Sequence, residues 1–359
     1  MHPILQPISD ILEFARWAPS GDNTQPWRFE IIDERHLFVH AFDTRDHCIY
    51  DLDGHPSQIA LGALLETLAI AASAHGLQAE FKRCSELSDT RVEYLVSMVP
   101  DDRLAPDPLL SHVKLRSVQR RAMPTRPLNE SQKEALQSAV GKSYIIRWFD
   151  SPVQRWKFAK LMFDNAKLRL TLPEAYSVHR NIIQWKSQFS HDKVPDQALG
   201  LDAMTLKLMR WVMGNWKRVD FFNIYLAGHL VPRIEMDLLP GLFCAAHFAI
   251  VAEKAPESID DYVAVGRAVQ RFWLTAARQG LQLQPELTPL IFSRYVREGR
   301  TFSRLPGTMD AAAKLSSRLS GLLPDDSVER VTFLGRIGSG AIAESRSLRL
   351  PVSRLMRKG

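Results

Sequence analysis

One helical sequence occurs twice in this chain, and it constrains the fold more than any other feature. Residues 59–78 read IALGALLETLAIAASAHGLQ and residues 263–282 read VAVGRAVQRFWLTAARQGLQ, and the two align without a gap at an offset of 204 residues. Apolar residues recur at helical spacing, so each copy is predicted to be a largely buried helix. Each helix is expected to end at a glycine that adopts the left-handed cap conformation. The identical positions are Ala60/Ala264, Gly62/Gly266, Ala72/Ala276, Gly76/Gly280, Leu77/Leu281 and Gln78/Gln282.

Matches that stay in register over a whole helix favour a duplicated domain, in which one chain imitates a two-fold dimer. The alternative is that two unrelated buried helices converged on alanine-rich sequence. Other predicted elements fit a duplication: helices at 8–17 and 131–140, and strands at 27–32, 36–41, 144–149, 242–252 and 331–337. The pattern predicts an α+β fold with helices packed on small antiparallel sheets. We place the two halves at residues 1–110 and 111–359.

A long helical segment, residues 152–240, interrupts the second half and has no counterpart in the first half. It is rich in large apolar side chains, including Trp185, Trp211 and Trp216. Two interpretations are open: the insertion is additional core, or it is a lid over a cofactor pocket.

Composition narrows the class of protein. Hydrophobic residues make up 45% and charged residues 24% of the 359 residues, which is typical of a soluble globular protein. No stretch is a convincing membrane span, no signal segment is expected at the N-terminus, and no metal-ligand spacing is present. Cys48, Cys84 and Cys244 are far apart and odd in number, which favours reduced thiols in a cytoplasmic protein. The net charge of +6 is spread along the chain, without the dense basic stripe of a nucleic-acid binder.

Residues 15–29, ARWAPSGDNTQPWRF, form a distinctive polar loop between a helix and a strand. Pro19 ends the helix, because the residue before a proline avoids helical geometry. The next four residues carry hydroxyl, amide and free backbone groups that can point into a cleft. Trp27 then begins an alternating strand. The alternative interpretation is an ordinary surface turn.

This segment resembles the nitroreductase superfamily, whose corresponding motif has the form A-P-S-x-x-N-x-Q-P-W. The matching positions are Ala18, Pro19, Ser20, Asn23, Gln25, Pro26 and Trp27. The resemblance implies an FMN-binding protein, and the layout is most similar to the single-chain, pseudo-dimeric branch that includes flavin-sequestering members. It implies that Pro19, Ser20, Gly21, Asn23 and Gln25 belong to the cofactor site.

The resemblance also implies a phosphate site built from arginines. The family has a basic segment of the form Arg-Arg-Ser-x-Arg before its first helix, but residues 1–15 contain no Lys or Arg. The second half has a modified version, RSVQRR at 116–121 followed by MPTRP, and the register between the two patterns is uncertain. The candidates for phosphate contact are Arg116, Arg120, Arg121, Arg126, Arg346 and Arg349. For each arginine the alternative is a solvated surface charge.

The first half therefore has the polar loop and lacks the arginines, whereas the second half has the arginines and lacks the polar loop. We predict one complete site, with one FMN per chain. Gln284 and Glu286 occupy the region where relatives place groups near the reactive flavin nitrogen. No catalytic side chain is assigned, because the flavin carries the chemistry.

The expected function is hydride transfer from NAD(P)H through FMN to a quinone, a nitroaromatic or a similar acceptor. One alternative is a flavin-sequestering protein with little or no turnover, and another is a basic nucleic-acid or regulatory protein. The expected partners are NAD(P)H and a small-molecule acceptor, with no nucleic acid and no membrane. We expect a monomer with an internal pseudo-dimer, or a weak homo-oligomer.

Overall fold

The computed structural model describes residues 6–84, 88–323 and 328–357 of the chain. Helices and small, mostly antiparallel sheets make up this part, so the protein is α+β, as the sequence predicts. The first residues of the chain, where no signal segment is expected, lie outside the described ranges.

The first 110 residues form two helices packed on one sheet. Their elements are α1 (Gln6–Ala15), β1 (Trp27–Ile31), β2 (His36–Phe42), α2 (His55–Ser73), β3 (Leu77–Cys84) and β4 (Arg91–Pro100). The hairpin of β3 and β4 was not predicted, although β4 alternates between buried and exposed residues as a strand with one solvated face does.

The rest of the chain forms a second sheet with two groups of added helices. Its sheet and packing elements are α3 (Glu130–Val140), β5 (Tyr144–Phe149), β9 (Ala246–Ala252), α10 (Ile259–Arg278), β10 (Leu281–Pro285) and β11 (Val331–Ser339). The insertion between β5 and β9 contains α4 (Pro152–Thr171), α5 (Pro173–Ile182), β6 (Ile183–Gln184), β7 (Phe189–Ser190), β8 (Val194–Pro195), α6 (Ala203–Val212), α7 (Trp216–Tyr225), α8 (Leu230–Arg233) and α9 (Leu239–Leu242). The remaining elements are α11 (Thr288–Arg297), α12 (Thr308–Leu322), β12 (Arg346–Ser347) and α13 (Val352–Leu355).

The two four-stranded sheets have the same strand order. The first sheet runs β1-β2-β4-β3 and the second runs β5-β9-β11-β10, with every neighbouring pair antiparallel. In each half a helix precedes the first strand, and a long helix lies between the second and third strands in chain order. The added helices of the second half lie in the two connections that are short in the first half, so they leave the strand order unchanged.

The long helices α2 and α10 cross where two glycines meet. A Cβ atom on Gly62 would lie 2.8 Å from the Cα of Gly266 and closer still to the carbonyl oxygen of Val263. The relation is reciprocal, because a Cβ atom on Gly266 would lie 2.8 Å from the Cα of Gly62 and closer still to the carbonyl oxygen of Ile59. Glycine at both positions therefore lets the two backbones touch. Both helices end as predicted, at glycines with φ of 63° and 70°.

Strand β9 is buried along its whole length, because helices cover both faces of the second sheet. Helices α3 and α10 pack on one face, while α4, α11 and α12 pack on the other. Within the described residues, α2 has the length and apolar composition of a membrane-spanning helix, and 83% of its most apolar window is buried inside the protein. Burial of that extent is typical of a core helix.

Candidate functional site

A cavity of about 380 Å³ lies between the two halves and the insertion. That volume is within the range of small-molecule and cofactor sites. Its walls come from the polar loop of the first half, from helices α2 and α10, from the ends of β10 and β11, and from the insertion. Part of the cavity wall is an apolar surface formed by Val269, Trp273, Ile291 and Phe333. Several arginines also line the cavity.

The polar loop predicted from the sequence lies on this cavity. Pro19, Ser20, Gly21, Asp22 and Asn23 all line it. The backbone N–H of Gln25 donates to the Ser20 hydroxyl at 3.0 Å, which closes the loop. Asp22, Asn23 and Gln25 have positive φ values of 51°, 63° and 48°. Asp and Asn tolerate this conformation, but for glutamine it is strained, so the surrounding contacts must hold the loop in shape.

Gln25 has a different position from its neighbours in the motif, because its side chain is fully buried and does not line the cavity. Its amide donates to the carbonyl oxygen of His191 at 2.9 Å, and its carbonyl oxygen accepts from the backbone N–H of Leu350 at 2.9 Å. Gln25 therefore joins the loop to the insertion and to the C-terminal segment. The sequence predicts Gln25 as a cofactor-site residue, and the structure places its side chain in these internal contacts rather than on the cavity.

Three of the predicted arginines, Arg116, Arg346 and Arg349, form one group on the cavity. Arg116 donates to the carbonyl oxygen of Trp17 at 3.1 Å, and Arg349 donates to that of Ala18 at 3.0 Å. Both carbonyls belong to the turn that follows α1, where helix-end carbonyls lack partners within the helix. The front and the back of the sequence are thus in direct contact at this site.

This group, which we call the arginine cluster, is an uncompensated concentration of positive charge. Burial, together with Arg349 and Arg346, holds the pKa of Arg116 well below its ordinary value. Burial and the neighbouring guanidinium groups of Arg346 and Arg16 also lower the pKa of Arg349, to about 9. Within the described part of the chain, no carboxylate forms an ion pair with any member of the cluster. Burying several guanidinium groups together costs free energy unless an anion binds beside them.

Unpartnered polar atoms lie in the same place. The Nε of Arg116, the Nε of Arg346 and the hydroxyl of Ser117 are buried without a hydrogen-bond partner among the described residues. All three residues line the cavity. Buried donors normally find acceptors, so three orphaned donors beside three guanidinium groups indicate a site for an oxygen-rich anion.

A second charged group contains both signs. Arg120 lines the cavity, and burial lowers its pKa to about 10 even though the Asp22 carboxylate opposes that shift. Arg169 donates to Asp237 at 3.2 Å, and both residues come from the insertion. Burial raises the pKa of Asp237 to about 6, against the effect of Arg169. These charges largely balance each other, so this group needs no added anion.

A buried charge network lies at the cavity wall formed by β10 and β11. Glu286 accepts from Arg336 at 2.8 Å and from Nδ1 of His247 at 2.8 Å. The other ring nitrogen of His247 donates to the carbonyl oxygen of Gly241 at 2.9 Å. Since both ring nitrogens face acceptors, the imidazole is held in its doubly protonated form. Gln284 also lines the cavity, and its side-chain carbonyl oxygen is buried without a hydrogen-bond partner in the described part of the chain.

Two predicted arginines are outside the site. Arg121 and Arg126 are exposed and do not line the cavity. The segment after Arg120 turns away from the cavity, because Met123 is buried and its N–H pairs with the carbonyl oxygen of Phe243. Both arginines are therefore corrected to surface charges. Arg120 lies on the cavity, but with the mixed charges rather than in the arginine cluster.

The sequence interpretation missed several cavity residues. Ser117 lies inside the recognised basic segment. Asp22 lies inside the polar loop that was expected to face a cleft, although it was not assigned to the cofactor site. The insertion contributes others that no local pattern identified, including Arg169, His179 and Met209. The insertion also supplies core residues such as Phe158 and Leu161, so it packs as core and lines the cavity at the same time.

Comparisons with known proteins give limited information. No family model and no curated protein matches the chain. Among solved structures, the chain is similar to a nitroreductase-like family protein from Bacillus cereus, with 12% identity, coverage of 70% of this chain and 96% of that one, and a TM-score of 0.35. A TM-score of that size does not establish a shared function, and the chemistry of the cavity is the stronger indication.

Proposed function

We propose that this chain binds one FMN in the cavity and acts as a flavin oxidoreductase of the nitroreductase type. The observation that carries the proposal is the arginine cluster. Among the residues that the structure describes, its three guanidinium groups have no carboxylate partner, and three buried donors beside them have no acceptor. A flavin phosphate is a dianion with several acceptor oxygens, and arginine binds such groups strongly. The residues present therefore fit this cofactor.

The residues assigned to the cofactor follow from their chemistry. Arg116, Ser117, Arg346 and Arg349 would hold the phosphate. The polar loop and the orphaned carbonyl oxygen of Gln284 offer groups for the polar edge of the ring, and Trp273 and its apolar neighbours offer a surface for its flat faces.

We further propose that the chain is an internal pseudo-dimer with a single working site. The matching strand order and the reciprocal contact of Gly62 and Gly266 support a duplication. The first half has no arginine or lysine in residues 1–15, which supports a degenerate second site. Each half would then contribute what the other lacks.

When bound, FMN supplies hydride acceptance from NAD(P)H and hydride donation to a quinone, a nitroaromatic or a similar acceptor. The protein binds and orients the cofactor and limits the access of water. A flavin-sequestering role is the second candidate, and the insertion favours it, because α4, α5 and α6 all contribute to the cavity wall.

Titration with FMN and with riboflavin, which lacks the phosphate, tests the proposal. Wild-type protein should bind FMN much more tightly than riboflavin. Arg116→Ala removes a charged donor to the phosphate, so FMN affinity should fall about 10- to 150-fold, from about 1.5–3 kcal/mol of charge-assisted bonding. Riboflavin affinity should change little. Arg121→Ala is the matched control, because that arginine is outside the cavity, and its FMN affinity should match that of the wild type.

Arg346→Gln provides a milder second variant in case Arg116→Ala does not fold. Equal affinity for FMN and riboflavin would show that the phosphate contributes nothing to binding. Unchanged FMN binding in both variants would show that the arginine cluster does not hold the phosphate. Anaerobic addition of NADPH to the loaded protein separates the two candidate functions. Rapid loss of the visible flavin absorbance supports an enzyme, and absence of reduction supports sequestration.

A further inference from the structure

The outer side of the insertion carries a concentration of exposed apolar side chains. Residues 203–231 contain nine of the 21 exposed large hydrophobic side chains found in the described part of the chain. Met204 and Tyr225 are 80% and 71% exposed. Single exposed apolar residues scattered over the surface are normal in soluble proteins, whereas a concentration of them in one segment is typical of an interaction surface.

The aromatic members of the group contact one another across α6 and α7. The Trp211 and Phe222 rings lie 5.8 Å apart between centroids, and Phe221 lies 5.1 Å from Tyr225. Phe221 and Phe222 also contact each other at 6.2 Å, so one aromatic chain joins α6 to α7. We call this surface, formed by residues 203–231, the α6–α8 face.

Basic residues accompany the apolar ones. The face carries Lys207, Arg210, Lys217 and Arg218 against a single acidic residue, Asp220. Within the described ranges, none of the four basic side chains forms an ion pair. The guanidinium group of Arg218 lies 4.6 Å from the centre of the Trp211 ring, so charge and apolar surface are interleaved.

We propose that the α6–α8 face docks on the surface of an anionic lipid bilayer. Helix α6 is amphipathic, and α7 adds exposed aromatic residues beside lysine and arginine. Helical surfaces of this composition bind in the interfacial region of membranes. Anionic lipids attract each basic residue near the surface, while the same positive charge opposes pairing of the face with a second copy of itself. An anionic bilayer offers acyl chains to the apolar side chains and charged headgroups to the basic side chains.

Docking would place the cavity close to the lipid. Helix α6 presents Met209 to the cavity, while Met204, Leu208 and Trp211 are exposed. The sequence-based expectation of no membrane partner rested on the lack of a spanning segment, and interfacial docking does not require one. The proposal does not depend on FMN, since the face and the cavity are separate surfaces.

Co-sedimentation with lipid vesicles tests the proposal on the full chain. The protein should pellet with vesicles of phosphatidylcholine and phosphatidylserine, and should remain largely in solution with phosphatidylcholine alone. Raising the salt concentration should release it, because screening weakens the electrostatic contribution. Exchanging both Lys217 and Arg218 for Gln should lower partitioning at least about tenfold, from about 1 kcal/mol for each basic residue.

A matched pair of tryptophan variants separates docking from general surface effects. Trp211→Glu, on the face, should reduce vesicle binding at least about tenfold, since it removes an inserted ring and adds a negative charge. Trp156→Glu, on α4, should bind like the wild type, because Trp156 lies outside the α6–α8 face. It is a matched control, since Trp211 and Trp156 are 52% and 50% exposed. Equal melting temperatures would establish that both variants fold.

Two results would overturn the proposal. One is equal binding of Trp211→Glu and Trp156→Glu to anionic vesicles. The other is absence of binding to anionic vesicles. If the protein then forms a concentration-dependent dimer that Trp211→Glu dissociates, the face is assigned to a second copy of the chain.

Discussion

Replacing Gly62 by alanine tests how the two long helices are held together. The added Cβ atom would lie 2.8 Å from the Cα of Gly266 and closer still to the carbonyl oxygen of Val263. Both neighbours are backbone atoms, so no side chain can rotate away, and the helices must separate by about 1 Å to restore ordinary contact. The two helices contain 19 and 20 residues and form the centre of the molecule.

The energetic cost follows from that displacement. A radial gap of about 0.5–1 Å forfeits roughly a quarter to a half of the dispersion energy at each contact along the interface. Overpacking a core costs typically about 1–3 kcal/mol, and here the clash is with backbone, so we expect a loss of at least about 3 kcal/mol in the free energy of unfolding. Gly266→Ala should cost a similar amount, because its contacts are reciprocal. The double variant should cost less than twice as much, since one separation of the helices relieves both clashes.

Urea unfolding, followed by tryptophan fluorescence, measures the effect. Gly321→Ala on α12 is the control, because a Cβ atom there has no heavy atom within 4 Å. It should be neutral or stabilising by up to about 1 kcal/mol, as expected for alanine in place of glycine in a helix. A loss below about 1 kcal/mol in Gly62→Ala, or full additivity in the double variant, would refute the close crossing.

Two further predictions concern histidines on or near the cavity. Burial lowers the pKa of His179 to about 3, so its neutral form stabilises the fold above its unfolded pKa of about 6.5, and stability is lost as pH falls toward 3. Between about pH 6 and 4, the free energy of unfolding of His179→Gln should therefore fall less steeply than that of the wild type, by up to about 1.4 kcal/mol per pH unit. Parallel plots of unfolding free energy against pH for the two proteins would contradict this. Burial opposes the charge on His247, but Glu286 outweighs it and raises the pKa to about 10, so this stability is present below about pH 6.5 and is lost as pH rises through 10. Glu286→Gln should cost about 3–5 kcal/mol in the free energy of unfolding at neutral pH, since it leaves buried cations unpaired. It should also remove the loss of stability at alkaline pH. Urea unfolding at about pH 7 and pH 9 measures both effects, and a loss between these pH values as large as that of the wild type would contradict the prediction.

The α6–α8 face and the cavity give the insertion two surfaces with different chemistry. Its inner side adds Arg169, Asp237 and His179 to the cavity wall, while its outer side is apolar and basic. Helices that only extended the hydrophobic core would not need charged side chains facing the cavity. Cofactor binding and lipid binding can be measured separately, so the two roles can be separated by the Arg116 and Trp211 variants.

The sequence by itself determined the features that are encoded within a few neighbouring residues. Helical periodicity identified α2 and α10, and the glycines at 76 and 280 ended them where the structure does. Proline and small polar residues identified the loop at 19–23, which lies on the cavity. These signals are local, because they follow from backbone geometry and side-chain spacing alone.

Only the tertiary structure decided which of the matching residues share a site. Arg349 reaches the carbonyl oxygen of Ala18 across 331 residues of sequence, whereas Arg121 lies next to Arg120 and points to solvent. Adjacent arginines look alike in a sequence, and burial depends on where distant segments pack. The contact between Gly62 and Gly266 likewise depends on tertiary packing. The reason for a glycine within a helix becomes clear only from the second backbone that packs against it.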